Sequence, residues 1–462
     1  MSEEQKSEEQ KERDTQKPVN KRQRFFKLAG MTASVAGNYA KTRISNVFKS
    51  AEQAAKDQAE AHKASGERIA QTLGELKGAV MKVGQMASIA KDILPKELTD
   101  SLRTLQKEAP PMPYEVIAEQ IKAELGAEPH EIFEDFDEEP FAAASIGQVH
   151  RALLQDGREV IVKIQYPGVD ESCDSDLAHL KMAFRASGLV KVDKKQLNQV
   201  FEEIKERLHE ELDYESEARH AAIFYEHYKD KPGIVVPQVI TEHSSKRVLT
   251  LTYEPGDTLD KVKEPRYSQE IRDLIGVNFF RLVCDQIFVL KAVHGDPNPG
   301  NFAFRDDGTI VMYDFGCVKF LKQEIVTAYK NTIEAGLEER YDIVEEGLLA
   351  LGVRKPGGPV PEPEYYKIFR DIFYEPFVQE EPFDYGTSEI HNEILKLVPG
   401  ILKRMASFQP PIELIYLDRM IAGHYGNLRR IECRGRYLEI LLEYLALPQP
   451  LPESDETPSD AE

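Results

Sequence analysis

The run His294-Gly295-Asp296-Pro297-Asn298-Pro299-Gly300-Asn301 sets an aspartate and an asparagine five positions apart, and Ile310-Val311-Met312-Tyr313-Asp314-Phe315-Gly316 brings another aspartate 13 positions later. Carboxylate and amide oxygens are hard ligands suited to Mg²⁺, and a carboxylate beside an attacking oxygen can take its proton. On its own, Asp-Pro-Asn-Pro-Gly-Asn is also a good turn sequence, and a plain turn is its bland reading. The Asp-Phe-Gly at that distance, directly after a β-rich run, favours chemistry.

Upstream, Val160-Ile161-Val162-Lys163 reads as a strand ending in a lysine, 16 residues after Gly147. A strand lysine is ordinarily a solvated edge residue, and the Glu-rich run Glu211-Leu212-Asp213-Tyr214-Glu215-Ser216-Glu217-Ala218 is ordinarily a solvated helix face. Order along the chain decides between these readings. A hairpin, a lysine, an acidic helix, an Asp…Asn loop and an Asp-Phe-Gly succeed one another as in the protein-kinase fold, where the lysine reaches the α- and β-phosphates of ATP and helix carboxylates pair with it. One stretch departs from that pattern. In place of a Gly-x-Gly-x-x-Gly loop stands Ala142-Ala143-Ala144-Ser145-Ile146-Gly147, where alanine removes backbone freedom and changes the grip on phosphates. No Walker A sequence is present, which excludes a P-loop NTPase.

The elements that must position these groups can be read from periodicity and punctuation. The segment from Phe25 to about Leu105, free of proline until Pro95, predicts long helices, and Tyr114 to Leu125 predicts another that closes at Gly126. Asp156-Gly157 is a hairpin turn between alternating runs. One helix is expected from Lys194 to Lys229, strands over Ile234 to Ile240 and Arg247 to Tyr253, and a helix over Glu270 to Val293. A short strand pair should lie within His294 to Asp314, and helices within Gln323 to Leu447. The expected class is α+β: a protein-kinase-like two-lobed fold with a helical N-terminal extension and a mostly helical C-lobe. Its segments are a disordered tail at 1–24, the extension at 25–113, an N-lobe with inserted helices at 114–255, a C-lobe at 256–447 and a disordered acidic tail at 448–462.

Over about Gly66 to Leu445 the sequence resembles the UbiB (AarF-type) atypical kinases, protein-kinase-like proteins tied to ubiquinone biosynthesis and lipid homeostasis. Lys82-Val83-Gly84-Gln85 matches their KxGQ motif, Ala142 to Ser145 their alanine-rich loop, Glu211 and Asp213 their ExD motif, and His294 to Asn301 their catalytic loop. From spacing alone, Lys82 and Gln85 share one helix face beside a Met-rich stripe (Met81, Met86) that reads more simply as core. The resemblance implies instead that Lys82 and Gln85 fold over the active site and meet Glu211 and Asp213 in a regulatory contact. It implies an ATP- and Mg²⁺-dependent ATPase or phosphotransferase, with the loop Ala142, Ala143, Ala144, Ser145 and Gly147 around the nucleotide. Lys163 would contact the phosphates with Glu217 as its partner, Asp296 would be the catalytic carboxylate, and Asn301 and Asp314 would hold the metal. No Ala-Pro-Glu follows the Asp-Phe-Gly, and an acidic tail stands where many relatives carry hydrophobic membrane helices. Two rivals remain: a small-molecule phosphotransferase, which also uses His-Gly-Asp-x-x-x-x-Asn, and a nucleotide-binding pseudokinase scaffold.

The 462 residues, 41% hydrophobic and 30% charged, give room for two or three compact units and exclude wholesale disorder. A net charge of −21 argues against nucleic acid as a partner. Four cysteines without a CxxC pair argue against a metal finger or a disulfide scaffold. Neither a secretory signal nor a long apolar run is evident, so the expected location is cytoplasmic or peripheral on the inner face of a membrane. Residues 15–50 oppose the overall charge with eight basic and no acidic residues, interleaved with Phe25, Phe26, Leu28, Met31 and Val35. That segment reads either as a helix lying on an anionic or isoprenoid lipid surface or as a helix packed on the acidic body. Oligomeric state is not legible.

Overall fold

A computed structural model describes residues 21–45, 51–76, 111–143, 146–187, 194–409 and 414–448. The expectations for Lys82, Gln85, Ala144, Ser145 and most of both tails lie outside these residues. The chain divides into two compact units, one formed by Met1–Arg219 with Gln238–Tyr253 and the other by His220–Pro237 with Glu254–Glu462.

In the first unit, α1 (Lys21–Ser45) and α2 (Ala51–Leu76) precede α3 (Tyr114–Leu125) and a single turn, α4 (Pro129–Ile132). Four strands and three helices follow: β1 (Asp135–Phe136), β2 (Ala142–Ala143), β3 (Gly147–Leu153) and β4 (Glu159–Gln165), then α5 (Val169–Ser187), α6 (Lys194–Leu212) and α7 (Tyr214–Tyr228), whose residues from His220 onward belong to the second unit. After β5 (Ile234–Val235), which belongs to the second unit, β6 (Val248–Thr252) completes an antiparallel sheet of order β1-β3-β4-β6, with β2 also on β3. The expected hairpin is present, with Gly157 at φ 84° in its turn, where a side chain would strain the backbone.

Alternation along β4 sends Val160, Val162 and Ile164 into the core and Ile161 and Lys163 to the opposite face. The core reaches back to the basic segment, whose Leu28, Met31 and Val35 are buried with Ile69 of α2 and Cys173, Leu177 and Leu180 of α5. Burial of such side chains contributes about 1.5–3 kcal/mol each. Arg24 of α1, nearly buried, donates from Nε to Asp176 of α5 at 3.0 Å. The apolar stripe of α1 therefore packs as ordinary core.

In the second unit, α8 (Gln269–Asp285) runs into a π-turn and then β7 (Ala292–His294), β8 (Phe302–Phe304), β9 (Ile310–Met312) and β10 (Val318–Phe320). The remainder is mostly helical: α9 (Gln323–Leu337), α10 (Tyr341–Ala350), α11 (Pro363–Phe373), α12 (Glu375–Val378), α13 (Ile390–Lys403), α14 (Ile415–Ile431) and α15 (Tyr437–Leu445), with β11 (Phe383–Asp384) and β12 (Arg434–Gly435) between. Strand β7 pairs with β10, and β9 lies between β8 and β5. No described helix is long and apolar enough to cross a membrane.

Three local expectations are corrected, and one helix is added to them. The single helix over Lys194 to Lys229 is two, because Asp213 interrupts it and caps α7 by accepting from the Ser216 amide at 2.9 Å. The strand over Ile234 to Ile240 shrinks to Ile234–Val235, since Pro237 has no amide to donate. The helix over Glu270 to Val293 stops earlier: Lys291 adopts a left-handed conformation at φ 55°, and Ala292–His294 form β7. Helix α5 was not anticipated, because its inner stripe of Cys173, Leu177 and Leu180 is diluted by the aspartates and serines between.

Candidate functional site

Lys163 sits in the middle of the first unit's sheet, opposite Val149 on β3 and Leu249 on β6. Its neighbour on the same face, Ile161, packs with Tyr214 and Ala218, so the first turns of α7 lie over that face. Glu217, between them on the helix, is buried, and its Oε1 accepts from Lys163 Nζ at 2.5 Å. The Tyr214 ring lies 5.4 Å from the same ammonium. Three restraints set this pair. Strand register fixes the lysine, Asp213 fixes the start of the helix, and Gln165 Nε2 ties β4 to the end of α6 through Leu212 O at 2.8 Å.

Gly147 has a packing role here: a Cβ on it would stand 2.2 Å from Ile164 O across the strand pair. Ala142 and Ala143 are exposed on β2, paired with Val149 and Gln148. Glu211 is half-buried at the end of α6, and Asp213 is exposed. His150 is buried, with one ring nitrogen 2.7 Å from Asp137 O and the other 2.9 Å from Gln148 Nε2. That arrangement suits a neutral ring, and burial lowers its pKa.

The second unit gathers Asp296, Asn301 and Asp314, each half-exposed. Asn301 Nδ2 donates to Asp296 Oδ2 at 2.8 Å, which orients the carboxylate and turns the amide oxygen away from it. Asp314 Oδ1 accepts from the Gly316 amide at 3.0 Å, and the Tyr313 amide donates to Asn301 O at 3.0 Å. His294, fully buried, touches Asp314 O through Nε2, while its own amide donates to Gln286 Oε1 at 2.7 Å. Phe315 is buried against Phe224 at 5.1 Å between ring centroids, and its carbonyl meets His220 Nδ1 at 3.0 Å. The donor set of two carboxylates and an amide, all hard oxygens, fits a divalent cation such as Mg²⁺. Asp296 in addition presents a carboxylate held by a neighbour's N–H, the form a proton acceptor needs.

Helix α14 also meets this loop. Arg419 Nε donates to Gly295 O at 2.6 Å, and Arg419 Nη2 lies 3.0 Å from Cys317 Sγ. Asn427 Nδ2 donates to Pro297 O at 3.0 Å. On the same helix His424 is fully enclosed by the Phe279 and Phe302 rings, and burial, with His294 nearby, pushes its pKa down to about 3. Sequence reasoning missed these residues. The run Arg-Met-Ile-Ala-Gly-His-Tyr-Gly-Asn reads as an ordinary helix, and its only signal is polar groups at i and i+8.

Elsewhere, Cys173, Asp174 and His209 bring one ligand atom each within 4.8 Å of one another. Asp174 is engaged by Lys205 at 3.0 Å and by His209 at 2.9 Å, and burial pushes the Cys173 thiol up to about 12. This is the arrangement of a surface ion-pair cluster.

The ABC1 atypical kinase-like domain matches residues 104–347. The chain is 33% identical over 395 residues to the mitochondrial atypical kinase coq-8 of Caenorhabditis elegans, covering 83% of this chain and 51% of that protein. With the mitochondrial atypical kinase COQ8 of Saccharomyces cerevisiae it shares 35% identity over 331 residues, 70% of this chain and 65% of that one. With the probable serine/threonine-protein kinase abkA of Dictyostelium discoideum it shares 30% over 426 residues, 87% and 74%. The chain thus spans about half the length of the nematode relative and just under two thirds of the yeast one. Among solved structures, Rv3197 of Mycobacterium tuberculosis in complex with erythromycin superposes with a TM-score of 0.61 at 31% identity, over 85% of this chain and 98% of that one. With the family model matching residues 104–347, more than half of the chain, the chain belongs to the ABC1 (UbiB-type) atypical kinase family.

Proposed function

We propose that the chain binds ATP with Mg²⁺ and hydrolyses it or transfers its terminal phosphoryl group, in support of ubiquinone biosynthesis or lipid homeostasis. The observation that carries this reading is the Lys163–Glu217 pair, an ammonium held by a buried carboxylate at the place where the kinase pattern needs a phosphate contact. Lys163 neutralises charge on the α- and β-phosphates, and Glu217 keeps it from swinging into solvent. Asn301 and Asp314 would hold the metal, which would supply positive charge to offset that of the phosphates. Asp296 takes the proton of the attacking hydroxyl, whether of water or of an acceptor alcohol, as the bond to the terminal phosphorus forms and ADP leaves. Glu211 and Asp213, with Lys82 and Gln85, are assigned the regulatory contact of the family. A lipid surface is proposed as a partner only through the outer side of α1, where Phe26, Lys27 and Lys41 are exposed, since the inner stripe is core.

Phosphate release from ATP by the full chain tests the central reading. Wild type is expected to turn over and Asp296→Asn to fall by about 10²-fold or more. Nucleotide binding without any turnover in wild type would make the chain a pseudokinase scaffold, and no nucleotide binding would sink the reading altogether.

A further inference from the structure

The catalytic-loop sequence carries a difficulty of its own making. Pro297 and Pro299 have no amide hydrogen, so the stretch around Asp296 cannot hold itself in place through a backbone ladder. The bonds its own amides make within the loop, from Gly300 N to the Asn298 side-chain Oδ1 at 3.0 Å and from Asn301 N to Asn298 O at 2.9 Å, both lie after Pro297. The carbonyls on either side of Asp296 are instead met from α14. Arg419 takes Gly295 O, the acceptor just before the aspartate, and Asn427 takes Pro297 O, the acceptor just after it.

Between these two donors, Gly423 lies under the Pro297 ring, where a Cβ would stand 2.1 Å from Pro297 Cγ. Positions 419, 423 and 427 follow one another at i, i+4 and i+8, a single stripe on a helix. The glycine lets the stripe approach the loop, and the two polar ends grip it. Arg419 also reaches Cys317 Sγ at 3.0 Å, next to the Asp-Phe-Gly, and Cys317 O accepts from Gly295 N at 2.6 Å. One guanidinium therefore spans the loop of Asp296 and the segment that follows Asp314.

We propose that Arg419, Gly423 and Asn427 form a cradle that positions Asp296 for proton transfer, acting on the loop backbone and touching no substrate. The proposal rests on the reading of Asp296 as the catalytic carboxylate. Its physical content is geometric: a misplacement of about 1 Å in a reacting group can cost about 10²-fold in rate. Asn427 is 4% exposed, so its donor works in a site where water does not replace it.

The test is steady-state phosphate release by the full chain with a thermal melt of each variant. Asn427→Ala, Arg419→Met and Gly423→Ala are expected to lower kcat by about 10- to 100-fold. The KM for ATP and the ADP-induced melting shift should change by less than about 3-fold, because the phosphate contacts at Lys163 are untouched. Arg419→Lys, which keeps a donor for Gly295 O, should recover most of the rate lost in Arg419→Met. It also keeps the proposal open to refutation should Arg419→Met fail to fold. Gly423→Ala removes no hydrogen bond, so a loss there reports displacement of the loop alone. Folded variants with wild-type kcat overturn the proposal, as does an equal loss of kcat and nucleotide affinity, which is the mark of general damage. A wild type that binds nucleotide but never turns over defeats the catalytic reading of Asp296 instead.

Discussion

Lys163 meets Glu217 from the centre of a sheet, with a strand on each side and a helix over its face. Asp296, Asn301 and Asp314 sit on loops, one of which has lost two amide donors to proline. The first group is made by regular structure: strand register and a helix start decide where the charges meet, and a slip of one residue would send Lys163 into the core. The second is made by partners borrowed from outside the loop: Gln286, which accepts from the His294 amide, His220, and the donors of the stripe on α14. Damage to the first should therefore appear as lost stability together with lost activity, and damage to the second chiefly as lost activity.

The largest effect on this contrast should come from Lys163→Met, which strands the Glu217 carboxylate in a buried position. Breaking such a pair costs about 3–5 kcal/mol, and adding Glu217→Leu should return most of that stability but none of the turnover. Urea unfolding of the single and double variants measures it. A single variant as stable as wild type would mean that the pair is not a structural element, and the contrast would fail.

A smaller effect is expected from pH in the second unit. His424 is held neutral when folded, with a pKa of about 3 against about 6.5 unfolded, so the unfolded chain binds the extra proton between these values. Stability from this group is complete above about pH 6.5 and drains as pH falls toward 3, at about 1.4 kcal/mol per pH unit inside that window. Comparing wild type with His424→Phe from pH 7 to pH 5 should show about 2 kcal/mol less loss in the variant. Parallel losses would show that His424 does not titrate in this way. His150 in the first unit carries a downward shift of the same sign and cause.

The smallest effect separates two roles of one residue. Asp213 caps α7, so Asp213→Ala should cost about 1 kcal/mol, while Asp213→Asn, which keeps the capping oxygen, should cost almost nothing. If Asp213→Asn nevertheless alters turnover, its charge serves the regulatory contact and the cap is incidental to that change. Turnover measured beside the unfolding curves decides between them.

Much of this organisation was legible because its signals are local. The hairpin around Asp156-Gly157 and the helix from Tyr114 to Leu125 depend on turn chemistry and periodicity within a dozen residues. The order of elements made a helix carboxylate legible as the partner of Lys163, and the family resemblance singled out Glu217 among the acidic residues of that run. The break at Asp213 was not, because the apolar period of α6 runs on into α7 and only the capping bond reveals the interruption. Ala292–His294 was hidden because a short apolar run at a helix end looks the same as more helix. Gly147 was read as part of a nucleotide loop, whereas its missing side chain is accounted for by the close approach of Ile164 O. The α14 stripe was invisible for a different reason: its partners lie more than a hundred residues away, and nothing local marks Gly423 as the point where a proline ring rests.

The central proposal is that the chain binds ATP with Mg²⁺, with Lys163 as a phosphate contact and Asn301 and Asp314 as metal ligands. Thermal melting of the full chain with ATP, in the presence and absence of Mg²⁺, tests this most directly. The account predicts that Mg-ATP raises the wild-type melting temperature, that withholding Mg²⁺ removes most of the gain, and that Asp314→Asn and Lys163→Met each lose it, one through the metal and the other through the phosphates. A wild-type chain whose melting temperature Mg-ATP leaves unchanged would contradict it.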